Sequence, residues 1–401
     1  RAPVVVRQAA APANRPAAPR MVYAAQAAAP PAVPARTSNT FSLVLAGVML
    51  AIFSKTWMLV ALGGGRVGWD APAWFQAVFL PAYGIGAILA LQRFPSALAA
   101  AARSPALLSL VLLAGISVGW SVAPTTTFLG AAALAATTLA AFALASRFDW
   151  ADLVETVAVV FAVLTVGSIV AGLVIPALGH DPNHPGNWRG LWFSKNSLGG
   201  NMAHAFLIFG SAALFRRRRA WLWWLMAVLS LLPLLMSGSK TALAAWLLGA
   251  AAFVFVALVR RGAAASIVFT YAALLGAAVL AGLVMFAGDS LAALAGKDAT
   301  LTGRTDIWEA ALRQIGERPL LGFGYSAFWE TQEGATAWVR NDAGWKVTDA
   351  HNAWLEVWLG LGLVGLMLWC FVFAGAWVRS LVSVYRHGSP ISPCRGWLSS
   401  P

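Results

Sequence analysis

Charge is scarce in this chain. Only 11% of its residues are Asp, Glu, Lys or Arg, against about 25% in a soluble domain. With 60% of the 401 residues hydrophobic and a mean hydropathy of +0.72, most of the chain does not face water. Cysteine is nearly absent: Cys370 lies in an apolar run and Cys394 in the tail, so neither a disulfide framework nor a cysteine metal site follows. The alternation of a membrane barrel is missing too. What remains is a series of apolar runs, each long enough to cross roughly 30 Å of hydrocarbon. The composition predicts an all-α, polytopic transmembrane bundle.

About ten spans are read, at 42–62, 72–92, 105–122, 127–146, 152–176, 196–215, 220–236, 242–259, 266–287 and 352–378. Residues 1–40 are Ala/Pro/Arg-rich, without periodicity, and are expected to be disordered. The chain opens on Arg1, and Met21 offers a native start. The first apolar run is a full span rather than a cleavable signal. The transmembrane domain is expected over 41–387, with an irregular, truncated tail at 388–401.

The formal charge of +13 would suit nucleic acid were it not for its distribution. Arg93, Arg103, Arg147, the Arg216–Arg219 run, Arg260, Arg261, Arg379 and Arg386 flank one side of the spans. The alternate short loops keep only Arg66, Arg189, Lys195 and Lys240. This is the positive-inside pattern, so both termini are expected in the cytoplasm and no nucleic acid is expected as a partner. The loop 288–351 then faces outward. It holds nine of the fifteen acidic residues, and Ile307, Ala311 and Ile315 at helical spacing make it partly helical. Trp308 and Trp329 suit an amphipathic piece at the membrane interface.

Outward loops are poor in cations, so the survivors matter. In "NWRGLWFSKNSLGGNMA", Arg189 and Lys195 bracket an aromatic turn before a helix that opens near Asn196. A helix N-terminus beside cations favours an anion; an aromatic anchor of Trp188, Trp192 and Phe193 with snorkelling cations reads the same residues another way. Lys240 opens a span in "SGSKTALAA", and Arg304 opens the loop helix in "GRTDIW", where a surface contact with Asp306 is the plainer reading. In "TDAHNAWLEVWLGLGLVGL", His351 is a proton acceptor or donor near neutral pH. Asp349 either orients it or caps the helix beginning near Asn352. "GHDPNHPG" holds His180, Asp181 and His184, with the histidines four apart as a metal on a helix would want, but two prolines make it a loop, and no metal site is expected. His204, inside the sixth span, is expected to be buried and hydrogen-bonded. A mouth of Arg189, Lys195, Lys240 and Arg304 with one titratable base suits an amphiphilic anion such as a lipid-linked diphosphate.

These stretches resemble a family. "GRTDIWEAALRQIGERPLLGFGYSAF" followed by "HNAWLEVWLGLGLVGL" looks like the signature of the O-antigen ligase and exopolysaccharide polymerase superfamily, and "RGLWFSKNSLGGNMA" and "SGSKTALAA" are similar to further motifs of it. The resemblance covers roughly 187–366. It implies a bacterial inner-membrane glycosyltransferase, working from the periplasmic face without metal, nucleotide sugar or other cofactor. Its donor would be an undecaprenyl-diphosphate-linked glycan. Its acceptor would be a lipid A core for a ligase, or another lipid-linked glycan for a polymerase. His351 matches the catalytic histidine, Arg189, Lys195 and Lys240 match cations that hold the diphosphate, and Arg304 matches the arginine opening the loop helix. Asn196, Asp349 and Asn352 are supporting residues. Gly360, Gly362 and Gly365 would be small faces for close helix packing. A flippase or transporter of lipid-linked oligosaccharide is the alternative; it would place ionisable groups near the midplane, where the spans offer chiefly Lys55, Glu155 and Glu356.

Overall fold

The computed structural model describes residues 39–56, 77–294, 304–331, 334–343 and 347–385. The tail 388–401 and all but the last two residues of the segment 1–40 lie outside these. The described residues are helical, with one isolated bridge between His180 and Trp188.

The helices are α1 (Thr40–Phe53), α2 (Leu80–Leu91), α3 (Phe94–Ala102), α4 (Pro105–Ile116), α5 (Pro124–Arg147), α6 (Trp150–Val174), α7 (Lys195–Phe215), α8 (Ala220–Met236), α9 (Lys240–Val259), α10 (Ala263–Leu294), α11 (Arg304–Glu317), α12 (Ala335–Ala343) and α13 (Ala353–Tyr385). Among the described residues six helices are long and apolar enough to cross a membrane: α5, α6, α7, α8 with its leading turn, α9 and α13. The protein is therefore a multi-pass membrane protein of the all-α class. The expected span 72–92 differs in form. Its helix α2 ends at Leu91 and turns by 97° into α3, because Pro95 follows Arg93 and Phe94 and cannot continue the i→i−4 ladder.

α7 is the centre of the bundle. Its Leu198, Met202, Ala205, Phe209 and Ala212 are wholly buried against α6, α8 and α9. Close approach needs small residues: a Cβ on Gly199 would stand 2.7 Å from Ser237 Oγ and 2.8 Å from Ala242 Cβ. Trp188 and Trp192 are each 6% exposed and belong to this same core. They are thus packing residues, not members of an interfacial belt.

A second apolar core lies in the large loop. Ile307, Ala311 and Ile315 of α11 pack with Phe323, Phe328, Val339, Val347, Ala350, Leu355 and Leu359. The helical spacing read in α11 is therefore real and buries the predicted face.

The expected smooth span 352–378 is corrected. Within α13, Gly362 has φ +66° and ψ −168°, and the chain reverses there. Trp354 stacks edge-on to Phe373 with ring centroids 5.4 Å apart. A continuous helix, rising 1.5 Å per residue, would hold those nineteen positions about 28 Å apart. α13 is thus a short arm, 353–361, folded back on the membrane-crossing helix 363–385. The stretch 319–324 fills the break. Phe323 and Gly324 N–H donate to Leu359 and Gly360 O at 2.8 and 2.9 Å, and Leu363 N–H donates to Pro319 O at 2.8 Å. A Cβ on Gly362 would lie 2.2 Å from the Leu320 carbonyl carbon, so this glycine serves the break and not a helix–helix face.

Candidate functional site

His351 sits on a tight, rigged turn. Its φ is +49°, a conformation that non-glycine residues adopt seldom, and Asn, Asp and His most readily among them. Strain of this kind costs about 1–3 kcal/mol and persists only where the surroundings enforce it. Here they do. The Asp349 carboxylate accepts the His351 backbone N–H at 2.8 Å and stands 2.5 Å from His351 Nδ1. Asn352 Oδ1 accepts Trp354 N–H at 3.0 Å and caps the arm 353–361. Ala350, wholly buried, is held from both sides: Trp308 Nε1 donates to its carbonyl at 2.8 Å, and its N–H donates to Glu356 Oε1. Trp329 Nε1 lies 3.0 Å from both Glu356 oxygens. Arg340 fixes the surrounding loop by donating to the carbonyls of Trp329, Thr331 and Val347 at 2.8–3.0 Å. The His351 side chain keeps 40% of its surface. With Nδ1 taken by Asp349, Nε2 is the nitrogen available to a substrate.

Three of these residues, Glu356, Trp308 and Trp329, carry parts the sequence reading missed. The two indoles, expected at the membrane interface, donate into this turn. The signal was there only in part: Glu356 is a carboxylate in an otherwise apolar run, and a buried carboxylate needs donors.

The cations form a second group around the start of α7. Ser194 caps that helix, its Oγ accepting Ser197 N–H at 3.2 Å. Asp181, 4% exposed, completes the end: Oδ2 accepts Lys195 N–H at 2.9 Å and Oδ1 accepts Asn183 N–H at 2.9 Å. Burial alone would raise the Asp181 carboxyl, but these two N–H groups and the His184 ring outweigh it and hold it below the usual carboxylate range. The helix N-terminus expected to attract a substrate anion therefore already holds the protein's own.

Arg189 is also spoken for. It is 3% exposed, and its Nε and Nη2 donate to Leu178 O at 2.9 Å and Ala177 O at 3.3 Å. Burial pushes its guanidinium down from the ordinary arginine value, and the Asp181 charge partly offsets this. Lys195 is half-buried, while Asn196 and Lys240 are exposed. Lys240 borders a cleft of about 160 Å³ lined by Leu234, Leu235, Gly238, Ser239 and Leu243. The Lys240 turn is seated on the Arg189 loop: Trp188 N–H donates to Met236 O at 2.8 Å, and Gly238, at φ +58°, leaves no room for a Cβ beside Asn187 Oδ1. Arg304 opens α11; its side chain lies outside the described residues.

Both groups fall at one end of the bundle. Consecutive helices joined by short links run in opposite directions, so the links 117–123, 175–194 and 237–239 share an end. The loop core is tied to the first of these. Val122 N–H donates to Phe323 O at 3.0 Å, Tyr325 N–H to Ser117 Oγ at 3.1 Å, and Trp120 Nε1 to Leu321 O at 3.0 Å. The opposite end carries the arginine-rich links, where Arg216 pairs with Asp152 and, at 2.7 Å, with Glu155. His204 is exposed on α7, contrary to the buried position expected. His180 bonds to Gly172 O at 3.0 Å and His184 lies 3.4 Å from Asp181 Oδ1, so both serve the loop.

A helical membrane bundle with a small packed domain at one end, presenting a histidine–aspartate pair, defines the class of protein. Residues 225–370 match the family model described as O-antigen ligase. The chain is 30% identical over 205 residues to the exopolysaccharide production protein ExoQ of Rhizobium meliloti (strain 1021), covering 48% of this chain and 46% of that protein. It is 37% identical over 71 residues to an O-antigen ligase of Pseudomonas aeruginosa, covering 18% of this chain and 16% of that protein. The chain thus spans less than half the length of each of these relatives. The family segment contains Lys240, Arg304, Asp349, His351, Asn352 and Glu356, and does not reach Arg189, Lys195 or Asn196.

Proposed function

We propose that this protein is a membrane glycosyltransferase of the O-antigen ligase or exopolysaccharide polymerase type. It takes a glycan from an undecaprenyl-diphosphate carrier on the periplasmic face of the inner membrane. The observation that carries the reading is the His351–Asp349 pair on a strained, fully rigged turn inside the family segment. The acceptor hydroxyl, from a lipid A core or a second lipid-linked glycan, gives its proton to His351 Nε2 as its oxygen attacks the anomeric carbon. The bond from that carbon to the diphosphate breaks with inversion, and the diphosphate leaves as an anion. No metal enters this scheme. Lys195, Lys240 and Arg304 hold the departing charge beside a low-dielectric wall. Arg189 acts at one remove, by holding the loop that leads into Lys195 and on which the Lys240 turn is seated.

The test is transfer from a lipid-diphosphate donor by correctly inserted His351→Ala protein. Loss of roughly 10²–10⁴-fold is expected for a general base. Activity near wild type would leave His351 with only a structural part in the turn. The transporter reading gains something from the broken α13, since transporters use discontinuous helices. Yet the groups freed at the break bond to 319–324, which speaks for a structural break over an ion or substrate seat.

A further inference from the structure

α7 turns a polar face away from the helices it packs on. Its Met202 meets Thr165 of α6, its Phe209 stacks on Trp223 of α8, and its Phe206 stands edge-on to Trp246 of α9. Ser197, Gly200, Asn201, His204 and Ser211, spaced i, i+3, i+4, i+7 and i+14, lie roughly opposite these three. None of the five is buried, His204 is exposed, and a Cβ on Gly200 would meet nothing within 4 Å. His204 comes nine residues after Lys195, about 14 Å of helix, so the imidazole stands near the middle of the span. α7 is accordingly the least apolar of the six membrane-crossing helices.

Hydrocarbon does not cover such a face: intramembrane amides and imidazoles turn to the bundle interior or to water. The packing order shows which way this one turns. α7 packs on α9, α9 on α13, α13 on α4, α4 on α5, α5 on α2, α2 on α1, α1 on α6, and α6 again on α7. These eight helices close a ring. α8 packs on α6, α7 and α9 and leaves Trp221, Val228 and Leu235 exposed, as a helix on the lipid side does. The polar face is opposite α8, so it turns into the ring. Beyond Lys195 it carries hydroxyls, an amide and an imidazole but no charged group. Asn201 gives one N–H to Ser197 O at 2.9 Å; an amide has a second N–H and a carbonyl besides. Such groups match neither an isoprenoid tail nor a diphosphate. They match the hydroxyls of a sugar, which both donate and accept.

We infer that Ser197, Gly200, Asn201 and His204 line a water-filled cavity inside the ring, entered from the Lys195 end, where they bind the uncharged sugar units next to the diphosphate of a lipid-linked glycan. The cavity stands on the helix arrangement alone; its occupant rests on the substrate class proposed above.

The experiment uses the full chain in membrane vesicles. In a background lacking Cys370 and Cys394, a single cysteine at position 204 is expected to react with a charged, water-soluble thiol reagent. One at position 228, exposed on α8, is expected to stay unreactive. No reaction at 204, or equal reaction at both, would overturn the cavity. Disulfide-linked dimers through position 204 would make the face an interface between copies and overturn it too. The occupant is tested by binding, in His351→Ala protein so that no donor is consumed. Undecaprenyl diphosphate carrying a disaccharide is compared with undecaprenyl diphosphate alone. His204→Leu and Asn201→Leu, at positions with no packing to lose, are expected to keep the parent's thermal midpoint. Each should weaken binding of the sugar-bearing ligand roughly tenfold, the loss of about one hydrogen bond, and leave the sugarless ligand unaffected. His204→Gln should keep most of the affinity. Equal weakening of both ligands, or no weakening of either, would overturn the sugar site while the donor class stood. Binding of neither ligand by the parent would instead remove that donor class, and this occupant with it.

Discussion

The side chain of Asp349 does two jobs that a substitution can separate. It accepts the His351 N–H, which an amide oxygen also does, and it faces Nδ1 with a negative charge, which an amide does not. Asp349→Asn therefore keeps the turn and removes the charge. Thermal stability should fall by no more than about 1–1.5 kcal/mol, the difference between a charged and a neutral acceptor, while transfer should fall roughly tenfold or more, because the imidazolium formed as His351 takes the proton loses its counter-charge. Glu356→Leu acts differently. It leaves the Ala350 N–H and the Trp329 indole without their acceptor, at about 1–3 kcal/mol for each buried group left unpaired. The expected result is a lowered melting temperature together with lost transfer. Wild-type stability in that variant would show that the turn does not depend on Glu356.

At the scale of elements, the α7 entrance and the α13 reversal are the two places where local chemistry decides the arrangement. Asp181 has its folded-state pKa lowered, so its contribution is fully present above the unfolded value near 3.9 and is lost as pH falls through the lower folded value. Asp181→Asn should then melt below wild type at pH 7, by about 1.5–3 kcal/mol for hydrogen bonds to a charged group. The difference should close as the pH is taken below about 4. A constant difference across that range would mean that the charge is irrelevant. The reversal at Gly362 is tested by distance. Cysteines at positions 354 and 373, in a background lacking Cys370 and Cys394, should join through a short bifunctional reagent; a straight helix would hold them about 28 Å apart and give no product. Gly362→Ala, at φ +66° and with its Cβ against Leu320, should destabilise the fold by more than the 1–2 kcal/mol of left-handed backbone alone. Sequence and structure agree where a property is local. The apolar runs of α5 to α9 mark spans because composition alone makes them so, and Ile307, Ala311 and Ile315 mark α11 because period 3.6 needs no partner to be seen. His351 and Asp349 were legible because they are neighbours in the chain. Gly362 was visible but misread, since a glycine that permits positive φ looks the same in sequence as one that permits close packing. Asp181 was weighed only as a metal ligand beside His180 and His184, because its main partner, the Lys195 N–H, is a backbone group fourteen residues away. Arg189 was read as an anion ligand because nothing in its neighbourhood in sequence shows that the carbonyls of 177 and 178 would take its donors.

For the whole molecule, the decisive question is which compartment each end of the bundle faces. The two ends differ sharply in chemistry. One gathers the His351 turn, Lys195 and Lys240 above the links 117–123, 175–194 and 237–239. The other holds Arg93, Arg147, Arg216–Arg219, Arg260 and Arg261. Cationic flanks are retained in the cytoplasm during insertion, so the second end is predicted to be cytoplasmic and the first periplasmic. This sidedness is what the proposed chemistry requires, since a carrier presented at the outer leaflet can reach only the first end. The test is labelling of single cysteines at positions 334 and 218 with a reagent that does not cross the membrane. The background must lack Cys370, which is exposed in α13, and Cys394. In intact cells whose outer barrier has been permeabilised, position 334 should label and position 218 should label only after the inner membrane is breached. Labelling of 218 from outside would invert the molecule. His351 would then face the cytoplasm, and the outer-leaflet donor would have to be abandoned even if His351→Ala abolished transfer.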